Sequence, residues 1–447
     1  MKKAFMTILL AAITLPALTQ TLNSGYFLDG SYDKFKLNPA LEPEAAFFSL
    51  PVFGDIHLGI ITNAGLSDFI FDSKREPGMK TTFMSGDVDS QTFLDRLDDV
   101  TRLNANIDLS LLELGFYGFK GFNTITAELH SDLGLYIPKS LFAFMKAGLS
   151  SGTYDINDLH LSNSEYLDIA IGHSHRIVAG LTLGARLHFL PGLAYANVSA
   201  DNLHAELGND QWQIRSKATA TAAINGTSPK YDENGNLDSF DFGFGGTNGK
   251  GFMIDFGANY DFKSGLTLSA SVTGIGNMYW NHAVTIGSDP TVNVTFNGFD
   301  DIEDIDGQVE SMTDDLKKMV EFKELNHDNF KTDFSPVIRA GLEYKVTDWL
   351  SMGELYSRQG GDNGWTEART ALNLEPTRWF DLSASLAFTN MGKQMGWMVN
   401  FHPAGFNLYI GCDCFKATLN KDYLPVSAIQ TNMILGIRHS IDKNHKE

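Results

Sequence analysis

The 447-residue chain carries 34 Lys plus Arg against 54 Asp plus Glu, a formal charge of −20, with 43% hydrophobic residues, 42 Gly and 32 Phe. That hydrophobic content is too high for a disordered chain, and so acidic a chain lacks the clustered cations that nucleic-acid phosphates need. Two cysteines support neither a disulfide scaffold nor a four-ligand zinc site.

Residues 1–19 read as a signal peptide. Lys2 and Lys3 lead an apolar run, Ala4 to Leu18, that is too short for a transmembrane helix of ~20 residues. Losing those two lysines takes the charge from −20 to −22. Beyond residue 20 no apolar run is long enough to cross a bilayer as a helix. Residues 20–45 form an N-terminal segment, 46–440 the strand-bearing body and 441–447 a polar tail.

Period-2 alternation recurs through that body. Ile254, Phe256, Ala258, Tyr260 and Phe262 alternate with Asp255, Gly257, Asn259 and Asp261. Ile338, Ala340, Leu342 and Tyr344 alternate with Arg339, Gly341, Glu343 and Lys345. Phe380, Leu382 and Ala384 alternate with Asp381 and Ser383. The segments fall near 46–53, 55–62, 105–117, 122–136, 165–174, 177–190, 193–206, 210–224, 250–262, 265–274, 334–346, 349–358 with 368–375, 378–390, 395–402, 405–414 and 425–439. Merging neighbours gives about fourteen strands, and single-chain barrels favour even numbers.

A soluble sandwich also alternates. Segment length, aromatics near strand ends (Tyr117, Tyr136, Tyr260, Trp349, Trp379, Trp397 and Tyr409), and alternating short turns and long polar connections favour an all-β transmembrane antiparallel barrel. In 105–117 the apolar parity switches between Leu111 and Leu112, which predicts a bulge there.

Helical periodicity appears in three places. Ser90 is the expected cap of a helix carrying Phe93, Leu94, Leu97 and Val100; Pro138 opens another with Leu141, Phe142 and Met145. The longest spans 304–323, an apolar stripe opposite an acidic face, and is the expected contact for any protein partner. Asn234-Gly235 signals a hairpin turn, and Gly54-Asp55 a second turn.

Catalytic motifs are weak. Gly148 to Gly152 matches the spacing of a serine-hydrolase elbow but lacks the strand-turn-helix context. His173 and His175 make an incomplete metal site. The acidic run from Asp300 to Asp306 reads as a solvated loop. Cys412 and Cys414 share the parity of outward residues. No enzyme activity, metal or cofactor is expected. The informative set points inward: Glu113, Glu128, His130, Asp168, Arg186, His188, Asp255, Asp261, Arg339, Glu343, Lys345 and Asp381 are the expected lumen lining. Charge belongs there because near the midplane of the lipid face it costs about 2–4 kcal/mol for a Lys or Arg.

Asn23 to Gly30, Leu37-Asn38-Pro39-Ala40, Phe48 to Val52, Gly65 to Phe69, Asn104-Ala105-Asn106 and Gly121 to Thr124 resemble an uncharacterised family of Bacteroidota outer-membrane β-barrels. Asn38-Pro39-Ala40 is also similar to an element of FadL-type fatty-acid channels, where it lies by an N-terminal plug. The resemblance implies an outer-membrane location, lipid around the barrel, residues 20–45 as a possible lumen plug with Asn38, Pro39 and Ala40 in it, and a small, potentially hydrophobic solute. A scaffold or interaction barrel for surface assembly or secretion is the alternative.

Overall fold

The computed structural model describes residues 22–49, 54–76, 78–147, 152–157, 159–200, 203–207, 212–215, 217–241, 243, 245–288, 293–296, 322–361, 364–390, 392–416 and 430–441. The expectations for residues 1–19, for 304–321, for the acidic run and for 442–447 lie outside them. Phe322 and Lys323, expected at the end of a helix, belong instead to a short strand, Phe322–Asn326.

Fourteen antiparallel strands close into a barrel. In chain order they are β1 (Ala46–Ser49 and Ile56–Thr62), β2 (Val100–Gly118), β3 (Gly121–Pro138), β4 (Leu159–Val178), β5 (Leu181–Ala200), β6 (Gly249–Asp261), β7 (Leu266–Trp280), β8 (Val337–Thr347), β9 (Leu350–Gln359), β10 (Thr366–Thr377), β11 (Phe380–Thr389), β12 (Gly392–Phe401), β13 (Asn407–Lys416) and β14 (Gln430–Ile441). Both pieces of β1 pair with β2 on one side and β14 on the other, which closes the sheet and leaves it no free edge. No helix among the described residues is long and apolar enough to cross a membrane.

The wall follows the alternation. Along β8, Ile338 and Leu342 are exposed on the outside, whereas Arg339 and Glu343 are buried within. Turns at one end are short, joining β2 to β3, β4 to β5, β6 to β7, β8 to β9, β10 to β11 and β12 to β13. Outward Tyr260, Trp349 and Trp379 cluster near these turns, as an interfacial girdle requires. Tyr117, Tyr136 and Tyr409 do not join it; Tyr117 donates to Pro43 O from the inner wall. Tyr409 is buried and bonds Asp55, and Tyr136 donates to Asn104 Oδ1 at 2.9 Å on the lumen side. Parity itself puts them inside: Tyr117 shares the face of Glu113, Tyr136 that of Glu128 and His130, and Tyr409 alternates with the outward Ile410.

One register change is the bulge expected in β2: Ser110 pairs with Glu128 and Leu112 with Ala127, so Leu111 is the extra residue. Another sits in β13, where the register shifts between Cys412 and Cys414. Both cysteines are free and buried; Cys412 keeps the expected outer-face register of Trp397 and Met433, covered by its neighbours, whereas Cys414, past the shift, pairs with lumen-side Asn432.

Four further departures are local. Gly54 and Asp55 interrupt β1 without reversing it, since both pieces keep the same neighbours. β5 runs unbroken through Pro191 and Gly192. The stretch expected as two strands, 193–206 and 210–224, divides among the end of β5, a side branch Ala218–Ile224 on β5, and a separate four-stranded sheet with Gly152–Ile156, Leu203–Leu207, Trp212–Arg215 and Asn293–Phe296. The merged segment 349–358 with 368–375 is two strands, β9 and β10.

The long connections carry small structures of their own. Asp89, not Ser90, caps the helix Ser90–Leu94, accepting from Thr92 N at 2.9 Å, and Val100 already belongs to β2. That helix packs with Lys139–Ala147 around Phe69, Phe83, Phe93 and Phe142. The expected turn at Asn234-Gly235 joins Ser228–Tyr231 to Leu237–Asp241, with Gly235 at φ +79°.

Candidate functional site

Residues 22–45 lie against the inner wall around most of its circumference. Asp413 of β13 accepts from Asn23 N at 2.6 Å and from Ser24 N at 2.7 Å. On β10, Arg369 Nη1 donates to Ser24 Oγ at 3.1 Å. On β7, Tyr26 hydroxyl meets Ser269 Oγ at 2.9 Å and Ser271 Oγ donates to Leu37 O at 2.8 Å. On β12, Asn400 Nδ2 donates to Gly30 O at 2.8 Å. On β4, Ser174 Oγ donates to Glu42 Oε1 at 2.8 Å.

Local sequence explains the close fit. Asn38 Oδ1 accepts from Ala40 N at 3.0 Å, which folds Asn-Pro-Ala into a tight side-chain-capped turn. That turn rests on Gly184 and Gly257, which pair directly across β5 and β6. A Cβ on either glycine would run into the backbone of Pro39 or Ala40. Glycine is thus used here for close approach of two backbones.

A charged cluster fastens this segment. Lys36 Nζ lies 2.5 Å from Glu113 Oε1, 2.5 Å from Glu128 Oε1, 3.0 Å from Asp55 Oδ2 and 3.4 Å from Asp33 Oδ1. Arg438, fully buried on β14, pairs with Glu113 at 2.7 Å and with Asp33 and Asp55. Oxygens of Asp33, Asp55 and Glu113 are close enough together to suit a cation, and Arg438 and Lys36 supply that charge themselves.

Above the cluster, towards the long connections, a cavity of about 720 Å³ occupies the lumen. A belt of alternating histidines and carboxylates crosses its wall from β1 to β6. His57 Nδ1 is 3.0 Å from Asp108, and Asp108 is 2.6 Å from His130 Nδ1. Asp168 is 2.8 Å from His188 Nδ1, and His188 Nε2 is 3.1 Å from Asp255. Tyr166 stacks on His130 with ring centroids 5.1 Å apart and meets Phe334 edge-on at 5.6 Å.

The sequence-derived residues therefore separate by depth. Glu128, His130, Asp168, Arg186, His188, Asp255 and Arg339 border the cavity. Glu113 lies in the charged cluster. Glu343 is buried, Lys345 Nζ reaches Asp29 Oδ2 at 2.6 Å, and Asp381 Oδ2 is 2.7 Å from His402, all beside the short-turn end. Asp261 is exposed at the end of β6, accepting from Thr267 Oγ1 at 3.1 Å across the turn. Sequence reasoning did not single out Lys36, Asp55, His57, Asp108, Glu367, Arg369, Asp413 or Arg438. Parity could have found Arg438, which shares the face of Asn432, Ile434 and Gly436. Nothing in the strand pattern marks Lys36, which sits on a one-turn helix, Lys34–Leu37.

Fold and lumen together define a transmembrane β-barrel partly filled by its own N-terminal residues. Residues 39–413 match the model of a family of unknown function (DUF5723), and the chain belongs to that family. No curated protein matches the chain. Among solved structures it is similar to a FadL homologue of Pseudomonas aeruginosa, at 9% identity and TM-score 0.45, covering 96% of this chain and 100% of that one. It is similar to the toluene transporter TodX of P. putida at 10% identity and TM-score 0.40, covering 91% and 93%. The translocator domain of the autotransporter NalP from Neisseria meningitidis matches at 8% identity and TM-score 0.32, covering 87% and 88%.

Proposed function

We propose that the chain is a bacterial outer-membrane barrel that admits a small solute to its lumen from the side of the long connections. Residues 22–45 act as a plug that must shift before solute passes. One observation carries this reading: an N-terminal segment bonded to strands all round the wall beneath an open cavity of about 720 Å³. Short turns in such barrels face the periplasm, so the long connections face outward from the cell.

The test is swelling of proteoliposomes in neutral solutes of graded size. The intact chain should give slow flux, and a chain lacking residues 22–45 should give fast flux with a size limit. Equal flux from the two removes the plug from the account; no flux from either removes the channel.

A hydrophobic solute is the second reading, and an observation outside the lumen favours it. A depression of about 790 Å³ on the outer wall is lined by Ile169, Ile171, Leu187, Phe189, Phe252 and Ile254, with His188 and Met253 at its base. The ladders beside it are irregular, shifting between Glu165 and Tyr166 and between Ile254 and Phe256. Saturable retention of toluene by the purified barrel, lost on Leu187→Asp, would support it.

A further inference from the structure

Resting on the channel reading above, we infer that the lumen cavity takes a small organic cation, one bearing a primary ammonium or a guanidinium. Among the residues lining the cavity, acidic side chains outnumber Lys and Arg nine to four. That imbalance alone would be a solvated acidic surface. Three further observations give it direction.

First, the floor of the cavity already holds an ammonium. Lys36 lines the cavity and places its Nζ among Asp33, Asp55, Glu113 and Glu128. These carboxylates accept an alkylammonium at close range, and a solute amine of the same chemistry can compete for those on the cavity side. Second, acceptor capacity there is left over. Asp33 is 5% exposed, lines the cavity and has no hydrogen-bond partner for Oδ2 among the described residues. Glu128 Oε1 is held by Lys36 Nζ alone, at 2.5 Å, which leaves its second lone pair open. Buried acceptors without donors are costly, which favours a ligand that brings N–H groups.

Third, the remaining carboxylates are held in place and flanked by rings. His57 and His130 grip Asp108 from two sides. His188 bridges Asp168 and Asp255. Tyr166 and Phe334 close the same cavity, and aromatic faces attract cations within about 6 Å of the ring. An anion would meet the acidic excess, and a purely apolar solute would strand the acceptors. A cation satisfies both the charge and the unmade hydrogen bonds.

The experiment is calorimetric titration of the full purified chain in detergent with putrescine and agmatine, against erythritol as the neutral and succinate as the anionic comparator. The expected result is saturable binding of at least one cation, at least tenfold tighter than either comparator. Glu128→Gln should weaken it tenfold or more, and Lys36→Met should strengthen it severalfold by removing the internal competitor. Retained heat-modifiable migration on gels reports that each variant is folded; if E128Q does not fold, Asp168→Asn takes its place with the same expected loss. Binding no tighter than the comparators, or a folded E128Q or D168N that binds as tightly as the parent, overturns the inference. Neutral-solute flux through the chain lacking residues 22–45 separates the two levels. Flux without cation binding overturns this inference and leaves the channel reading standing, whereas absence of flux overturns the channel reading itself.

Discussion

Arg438 is the residue on which the N-terminal segment and the wall most depend. It is fully buried and faces Asp33 of the segment together with Asp55 and Glu113 of the wall. Removing one partner of a buried charge group leaves the others uncompensated, at about 3–5 kcal/mol. Arg438→Met should therefore lower the temperature at which the barrel loses its heat-modifiable gel migration, and an unchanged temperature would show that the carboxylates find other partners. His402, in the turn after β12, gives a pH-dependent case. Burial opposes its charge, but the Asp381 carboxylate at 2.7 Å wins and raises the imidazole above its ordinary value. A raised folded-state value contributes stability that is full below the unfolded value near 6.5 and is lost as pH rises through the folded one. Thermal stability should fall as pH is raised through and above neutrality, and His402→Gln should flatten that part of the profile. Alternation assigned most of the inward charges to a face, but it could not say which of them meet. Glu113 and Arg438 are 325 residues apart, and only barrel closure through β14 and β1 brings them together.

At the scale of elements, register is what puts each charge inside. The bulge at Leu111 shifts the inward face of β2 from Asp108 to Glu113. Deleting Leu111 would turn one half of the strand over, either Glu113 outward or Asn106 and Asp108 outward. Such a protein should fail to assemble, seen as loss of the folded gel species; normal assembly would mean the strand tolerates either phase. The Asn38-Pro39-Ala40 turn depends on the flat patch at Gly184 and Gly257. Gly184→Leu should push the turn off the wall and raise neutral-solute flux, while flux at the parent level would show that the turn does not seal the lumen. The bulge was legible because apolar parity visibly switches. The β13 shift was not, because Gly411, Cys412, Asp413 and Cys414 present no clear apolar phase. Strands beyond the barrel, such as Leu203–Leu207, were taken for wall because alternation continues past the depth a membrane covers.

For the whole molecule, acidic charge among the described residues is divided between exposed carboxylates of the long connections, such as Asp72, Glu76 and Asp95, and an interior cavity whose lining carboxylates outnumber its Lys and Arg. The 42 glycines serve turns and also thin the wall where the N-terminal segment lies against it, as at Gly341 and Gly353 beneath Tyr26 and Phe27. Strand number and closure were legible from period and connection length. The seat of residues 22–45 was not, because their contacts are spread over strands from β2 to β14 and no local pattern encodes them. The central claim is that this segment sits in the lumen and closes it. Ser24 Oγ lies 2.9 Å from Ser385 Oγ on β11, close enough for a disulfide between cysteines at the two positions. In the Ser24→Cys/Ser385→Cys double variant, oxidation of the folded barrel should form that bond and lower flux below that of the reduced protein, with reductant restoring it. Failure of the two cysteines to join in the folded barrel, or undiminished flux once they have joined, would contradict the claim.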